Sequence, residues 1–313
     1  MDIIIYDPSN GPDVWLQGLR ERLPQARIRP WTPGDDGHAD YALAWNPPAA
    51  MLRGRTGLKA VFNLGAGVDV ILKALRENPG MMPENVPLFR LEDAGMARQM
   101  REYATYMVLG WYRHFEDYRE QQKAKRWKSI FPGARQNFIV GVMGAGILGS
   151  AVAQALLAWD FPVRCWSRSP KNIPDVASYA GTAQLDAFLA GTRVLINLLP
   201  ATPETTGILN SRLFSRLEKG AHILNIARGA HLVEADLLAA LASGQVKSAA
   251  LDVFGTEPLP EEHPFWTHPK VTVTPHVAAL TLPDETMDRL AADILTVASG
   301  GTPGGKVDIA RGY

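Results

Sequence analysis

The stretch 138–171 limits what this chain can fold into more than any other. Phe138-Ile139-Val140-Gly141-Val142-Met143 is an apolar run of strand length, and it leads through Gly144-Ala145-Gly146-Ile147-Leu148-Gly149 into a helical stretch over 150–157. A GxGxxG between a strand and a helix is the turn that cradles a dinucleotide pyrophosphate. Gly144 permits the tight turn, Gly146 lets backbone N–H groups approach the anion, and Gly149 lets the helix pack closely on the strand. Ile147 and Leu148 lie at the positive end of that helix, where an anion is stabilised. Glycine-rich turns between other strands and helices, and the related loops of methyltransferases, carry the same letters. The flanking strand and helix favour the dinucleotide.

The next strand, Val163-Arg164-Cys165-Trp166, ends in Ser167-Arg168-Ser169-Pro170-Lys171. A fold that prefers NAD places Asp or Glu about 20 residues beyond the glycines, where it accepts hydrogen bonds from the ribose hydroxyls. Here a hydroxyl and two cations stand instead. A carboxylate would repel the 2′-phosphate of NADP, whereas Arg168 can grip it through its planar fork, with Ser167 and Lys171 assisting. The plainer alternative is a solvated basic loop. The expected cofactor is NADPH.

At 313 residues the chain exceeds one ordinary core, so two domains of about 100–200 residues each are expected. Lys plus Arg and Asp plus Glu are equal at 32 each, which gives no reason to expect nucleic acid or an anionic membrane as partner. The start, Met1-Asp2-Ile3-Ile4-Ile5-Tyr6-Asp7, lacks a basic leader region and is expected to be a strand, not a signal peptide. No apolar run reaches membrane-spanning length. The single cysteine, Cys165, sits inside a strand as a small buried hydrophobe and fits a reducing cytoplasm.

Strand and helix alternate along the whole chain, so the class is α/β with parallel sheets. Strands are predicted over 2–6, 26–31, 41–45 and 60–64, with helices over 12–23 and 68–75. Between the strand at 60–64 and its helix, Leu64-Gly65-Ala66-Gly67-Val68-Asp69 is either a plain turn or a small anion site made of backbone N–H groups. A long helix is predicted over 96–115, apolar around much of its circumference and therefore buried on several sides. A charged helix over 117–128 and a linker over 129–135 follow. Beyond the glycine turn, strands are predicted over 193–199, 221–226, 248–251 and 271–274, and a last helix over 283–299. Several end beside special residues: Pro200, Arg228, Asp252 and His276. Ligands of open α/β sheets collect outside the carboxyl ends of the strands, so these residues are expected to face one crevice.

Arg228 follows its strand directly and has Gly229 behind it. There it can bind a carboxylate and polarise a neighbouring carbonyl, or serve only as a surface ion pair. His276 follows Pro275 at a strand end and is the best placed of seven histidines, with His231 a weaker rival close to Arg228. Glu257 is the candidate carboxylate partner: bonded to an imidazole it favours the protonated form and fixes its orientation. A protonated His276 can then supply a proton as hydride reaches a carbonyl carbon. Glu261, Glu262, His263 and His268 lie close together, but the surrounding prolines give them no helical alignment, and no metal site is expected.

At this point the chain resembles the D-isomer-specific 2-hydroxyacid dehydrogenases, and within them the glyoxylate/hydroxypyruvate reductase A group. The motifs that carry the likeness are Leu64 through Asp69, Gly144 through Gly149, Asn225-Ile226-Ala227-Arg228-Gly229, Leu251-Asp252-Val253-Phe254 with Glu257-Pro258-Leu259, and Thr274-Pro275-His276-Val277-Ala278. The resemblance implies that Arg228 binds and polarises a 2-oxoacid, that His276 is the general acid and that Glu257 tunes it. It also implies that backbone N–H groups near Ala66 and Gly67 hold the substrate carboxylate, that Trp45 lines the pocket, and that Leu199, Pro200, Thr205, Ala227, Asp252 and Ala278 flank the cofactor. Two domains follow: a Rossmann-type doubly wound dinucleotide-binding domain over 99–282, and a smaller discontinuous flavodoxin-like substrate domain over 1–98 and 283–313. Homodimers joined through the cofactor domain are common in the family. Many relatives carry Asp at the end of the second strand, so their use of NAD does not transfer to this chain.

The expected activity is NADPH-dependent reduction of glyoxylate to glycolate and of hydroxypyruvate to D-glycerate. A dehydrogenase for a larger 2-oxoacid, a cofactor-sensing protein without catalysis and a methyltransferase are the alternatives. The last two give Arg228, Glu257 and His276 no joint purpose.

Overall fold

The computed structural model describes residues 1–313, which form two compact units, Met1–Gly95 with Thr281–Tyr313, and Met96–Leu280. The first unit opens with β1 (Asp2–Tyr6), α1 (Asp13–Arg22), β2 (Arg27–Pro30), β3 (Tyr41–Ala44), α2 (Ala49–Leu52), β4 (Ala60–Asn63), α3 (Asp69–Glu77) and β5 (Leu88–Arg90). The strands pair in parallel in the order β2-β1-β3-β4-β5, the flavodoxin-like order. Ile3, Ile4 and Ile5 in β1, and every residue of β3 and β4, are buried, because a parallel sheet covered by helices leaves neither face to water.

The second unit opens on α4 (Met96–Tyr112) and α5 (Phe115–Lys123), and continues with β6 (Ile139–Met143), α6 (Ile147–Leu157), β7 (Val163–Ser167), β8 (Ala177–Ala180), α7 (Leu185–Leu189) and β9 (Thr192–Asn197). Then come α8 (Ser211–Phe214), β10 (Ala221–Asn225), α9 (Glu234–Ser243), β11 (Val246–Leu251) and β12 (Val271–Val273). Its seven strands are parallel in the order β12-β11-β10-β9-β6-β7-β8. The chain therefore winds outward from β6 in both directions, and the reversal between β6 and β9 is the switch point at which such sheets take ligands. The closing α10 (Pro283–Ala298) packs on α1 in the first unit.

One expectation needs correction. The helix predicted over 96–115 ends at Tyr112, since His114 adopts a left-handed backbone (φ 60°) and α5 starts behind it. The expected burial on several sides is narrower too: Tyr106 on this helix is 62 % exposed, so the apolar face that packs is smaller than the composition suggests.

Two buried groups are settled by their surroundings. Cys165 lies in the core of the second unit, where desolvation pushes its thiol up to about 12 and leaves it inert. His222 is buried in β10, stacked on Trp111 and bonded to Ser248 at 2.9 Å. Burial lowers its pKa to about 3, so it is a neutral packing residue. No helix is long and apolar enough to cross a membrane.

Candidate active site

At the end of β6, Gly144 turns at φ +101°, and a side chain there would press on the backbone of Leu198 beyond β9. A side chain at Gly149 would collide with the carbonyl oxygen of Gly144, so turn and helix touch backbone to backbone. Nothing stands within 4 Å of the side-chain position of Gly146, the residue that caps α6, and no side chain caps that helix. Open space before uncapped N–H groups at a helix start suits an anionic pyrophosphate. The structure therefore has the cradle that a dinucleotide requires.

β7 carries the chain to Ser167, which is buried and donates its hydroxyl to the Ser169 carbonyl at 2.8 Å. Ser167 thus shapes the turn that displays Arg168 and Lys171, both exposed. Hydrogen bonds from Thr202 and from its own backbone, and more weakly the charge of Arg168, hold Glu204 below the usual carboxylate range. Beyond β9 the segment through Leu199 and Pro200 is tied to itself, with the Thr205 hydroxyl 2.7 Å from the Pro200 carbonyl.

Arg228 follows β10, in extended backbone. Its carbonyl accepts from Asn225 Nδ2 at 3.0 Å, and its guanidinium Nη1 donates to the Ala227 carbonyl at 2.7 Å. A side chain at Gly229 would collide with the backbone of Phe254 and Gly255, so the Arg228 loop lies directly against the loop that follows β11. That second loop holds Glu257. One of its oxygens accepts the Phe254 N–H at 2.9 Å; the other is 2.7 Å from His276 Nδ1. A carboxylate at Nδ1 fixes the proton there and leaves Nε2 as the working nitrogen. Both side chains remain accessible, at 45 % for His276 and 37 % for Glu257. The neighbouring strands β10, β11 and β12 thus bring Arg228, Glu257 and His276 to one end of the sheet.

Asp252 and His231 are placed more closely by their partners. Asp252, expected beside a cofactor, is 1 % exposed, and both of its oxygens are engaged: Thr274 Oγ1 and Val277 N donate to one, and Ala278 N to the other. It holds the His276 turn from inside. His231, the rival histidine, is fully buried, with Nδ1 2.8 Å from Asn197 Nδ2 and Nε2 3.2 Å from the Pro200 carbonyl. It ties loops together. His263 and His268 likewise serve local structure, the former beside Glu234 at 3.1 Å and the latter accepting the Lys270 N–H.

Sequence reading gave Asn197 and Asn225 no role, although each closes an apolar run with an amide. Asn197 Nδ2 donates to Asn225 Oδ1 at 2.9 Å, joining the ends of β9 and β10 beneath the Arg228 loop.

In the first unit, the loop after β4 is internally braced. Asn63 Nδ2 donates to the carbonyls of Gly65 and Gly67 at 2.8 and 2.9 Å, and the Trp45 ring packs so closely on Gly65 that a side chain there would need it to move. Ala66 and Gly67 are half-buried at its tip.

Residues 105–278 match the family model for the D-isomer specific 2-hydroxyacid dehydrogenase, NAD binding domain. The chain belongs to the D-isomer specific 2-hydroxyacid dehydrogenase family. Among curated relatives of this family, the glyoxylate/hydroxypyruvate reductase A of Serratia proteamaculans is 57 % identical over 313 residues, and that of Photorhabdus laumondii 55 %, each covering 100 % of both chains. Among solved structures, an NADPH-dependent glyoxylate/hydroxypyruvate reductase from Sinorhizobium meliloti, in complex with NADP and sulfate, superposes with a TM-score of 0.90 at 35 % identity, over 100 % of this chain and 99 % of that one. A family member from Xanthobacter autotrophicus, in complex with NADPH and MES, superposes with a TM-score of 0.92 at 35 % identity, over 100 % of this chain and 99 % of that one.

Proposed function

We propose that the protein reduces small 2-oxoacids with NADPH, glyoxylate to glycolate and hydroxypyruvate to D-glycerate. The observation that carries this reading is the His276–Glu257 pair at 2.7 Å, whose glutamate sits on the loop packed against the one that presents Arg228. The names of the curated relatives and the NADP bound to the Sinorhizobium enzyme support the choice of substrate and cofactor.

Gly144, Gly146, Ile147, Leu148 and Gly149 would hold the pyrophosphate of the cofactor, and Arg168 and Lys171 its 2′-phosphate, on the turn shaped by Ser167. Leu199, Pro200, Thr205, Ala227 and Ala278 would flank it. Asp252 would stand beside it as well: it holds the turn, and its second oxygen, with Ala278 N as donor, has a further acceptor site. When bound, NADPH supplies the hydride. Arg228 binds the substrate carboxylate and draws electron density toward the carbonyl oxygen. His276, protonated and oriented by Glu257, delivers its Nε2 proton to that oxygen as negative charge develops. The N–H groups of Ala66 and Gly67, with Trp45 as a wall, are assigned to the substrate carboxylate as well.

The test is consumption of NADPH on addition of glyoxylate, hydroxypyruvate, pyruvate or phenylpyruvate. Glyoxylate and hydroxypyruvate should give the highest kcat/KM, and a clear preference for phenylpyruvate would refute the substrate assignment. Replacing Arg168 by Asp should lower the NADPH-over-NADH ratio of kcat/KM by about 10–100-fold, the value of a lost charge-assisted fork plus a new repulsion. An unchanged ratio would move phosphate recognition elsewhere.

We further assign the working species as a homodimer joined through the Rossmann unit. Trp127 and Phe131 are almost wholly exposed and, with Tyr106, offer large apolar groups to a second copy. Sedimentation equilibrium at micromolar concentration should give twice the chain mass, and Trp127→Asp with Phe131→Asp should halve it. A wild-type monomer would end this assignment. The lone buried thiol suits the cytoplasm, which cell fractionation checks.

A further inference from the structure

His276 occupies a backbone conformation that costs energy. Its φ is +55°, in the left-handed region that residues other than glycine adopt only when the surroundings hold them there. Holding is done first by Asp252. Its carbonyl accepts the His276 N–H at 2.8 Å, and its carboxylate takes the Thr274 hydroxyl and the N–H groups of Val277 and Ala278 at 2.6, 2.8 and 2.9 Å.

A second layer lies behind the first, on α4. The Thr274 hydroxyl has one hydrogen, and Asp252 accepts it. The contact of 2.7 Å between Tyr103 and Thr274 Oγ1 therefore has the phenol as donor. Burial raises the Tyr103 pKa above its usual range, so the phenol stays protonated. One helical turn earlier on the same face, Gln99 takes both backbone groups of Leu280: Nε2 donates to its carbonyl at 2.9 Å, and Oε1 accepts its N–H at 3.1 Å. Two side chains at i and i+4 of one helix thus grip the segment 274–280 at its two ends, with His276 between them.

We propose that Gln99 and Tyr103 are positioning residues of the reaction, which hold the imidazole of His276 in its working place through the Thr274–Asp252 chain and the Leu280 backbone. The inference rests on the general-acid reading of His276. It adds that α4, which contributes no group to the chemistry, sets the precision with which the proton is delivered.

The experiment compares the full-length enzyme with Tyr103→Phe, Thr274→Val and Thr274→Ser. The phenylalanine keeps the ring and removes only the donor, valine removes only the hydroxyl, and serine restores it. Hydrogen exchange of the segment 274–280 should accelerate about tenfold in the first two variants, as the Asp252 carboxylate that takes the Val277 and Ala278 N–H groups loses its side-chain anchor, and should stay near wild type in Thr274→Ser. Their kcat for glyoxylate should fall about tenfold, with KM for both substrates within about twofold, because the loss is of alignment and not of binding. The double variant Tyr103→Phe with Thr274→Val should be no slower than Thr274→Val alone, since both act through one chain. Unchanged exchange, or faster exchange with unchanged kcat, overturns the inference. His276→Asn, assayed alongside, separates the two readings: if it is inactive while Tyr103→Phe is silent, only the tether is wrong. If it keeps its turnover, the general-acid reading fails, and the catalytic meaning of the tether fails with it.

Discussion

His276→Asn is expected to lower kcat for glyoxylate by about 10²–10⁴-fold, the range for removing a positioned general acid. Asparagine is chosen on structural grounds. It tolerates a left-handed backbone better than most residues, so the φ of +55° at this position should survive the exchange. Its side-chain amide can still donate toward Glu257, which would otherwise lose its partner at 2.7 Å. What it lacks is an ionisable proton. Because the proton moves only as the carbonyl oxygen gains charge, kcat and kcat/KM should fall together. Steady-state kinetics check this, with NADPH fluorescence titration as the control for binding. A variant retaining more than about one fifth of the wild-type turnover would exclude His276 as the acid, since even the lower edge of the range is far greater.

Arg228→Gln is expected to lower kcat/KM for glyoxylate by about 10²–10³-fold, and to leave NADPH affinity within about twofold. The guanidinium is asked to do two things, to bind the substrate carboxylate and to stabilise the developing oxyanion, so the loss should divide between KM and kcat. The backbone of residue 228 is held independently of its side chain, by Asn225 Nδ2 on its carbonyl and by the contact of Gly229 with Phe254, so a local collapse is not expected. Arg228→Lys should recover part of the loss in KM and little of kcat, because an ammonium restores charge without the planar fork. The prediction fails if Arg228→Gln keeps kcat/KM within about threefold of wild type, which would return this arginine to the status of a surface ion pair.

The two replacements probe different links of one structure. His276 depends on a turn that is conformationally costly and therefore over-determined by Asp252, Thr274 and α4. Arg228 depends on close backbone packing at Gly229 and on an amide network at the ends of β9 and β10.

Much of the architecture is written in local composition. Apolar runs such as Ile3 to Ile5 and Val194 to Asn197 have no alternation of polar residues, and only a strand covered on both faces suits them. The glycines of the turn after β6 mark places where backbone must meet backbone, a demand that residue type alone discloses. Where the sequence was silent, the deciding contact was remote. β8 has no buried residue, and it is a strand because it pairs with β7. The apolar content of 96–115 concealed a break after Tyr112, since a left-handed residue such as His114 need not announce itself in composition.

The sequence by itself determined which residues stand at the carboxyl ends of strands, and with them the chemistry the chain has to offer: an arginine, a glutamate, a histidine and a glycine turn. Only the tertiary structure decided their relations. Strand order put β10, β11 and β12 side by side, so that Glu257 meets His276 across 19 residues, and Tyr103 reaches Thr274 across 171. It also decided that Asp252, expected beside the cofactor, and His231, the weaker rival to His276, are buried and brace the loops around them. The reason is physical: propensity and periodicity act over a few neighbouring residues, whereas the partner of a buried polar group is chosen by whichever distant segment packs against it.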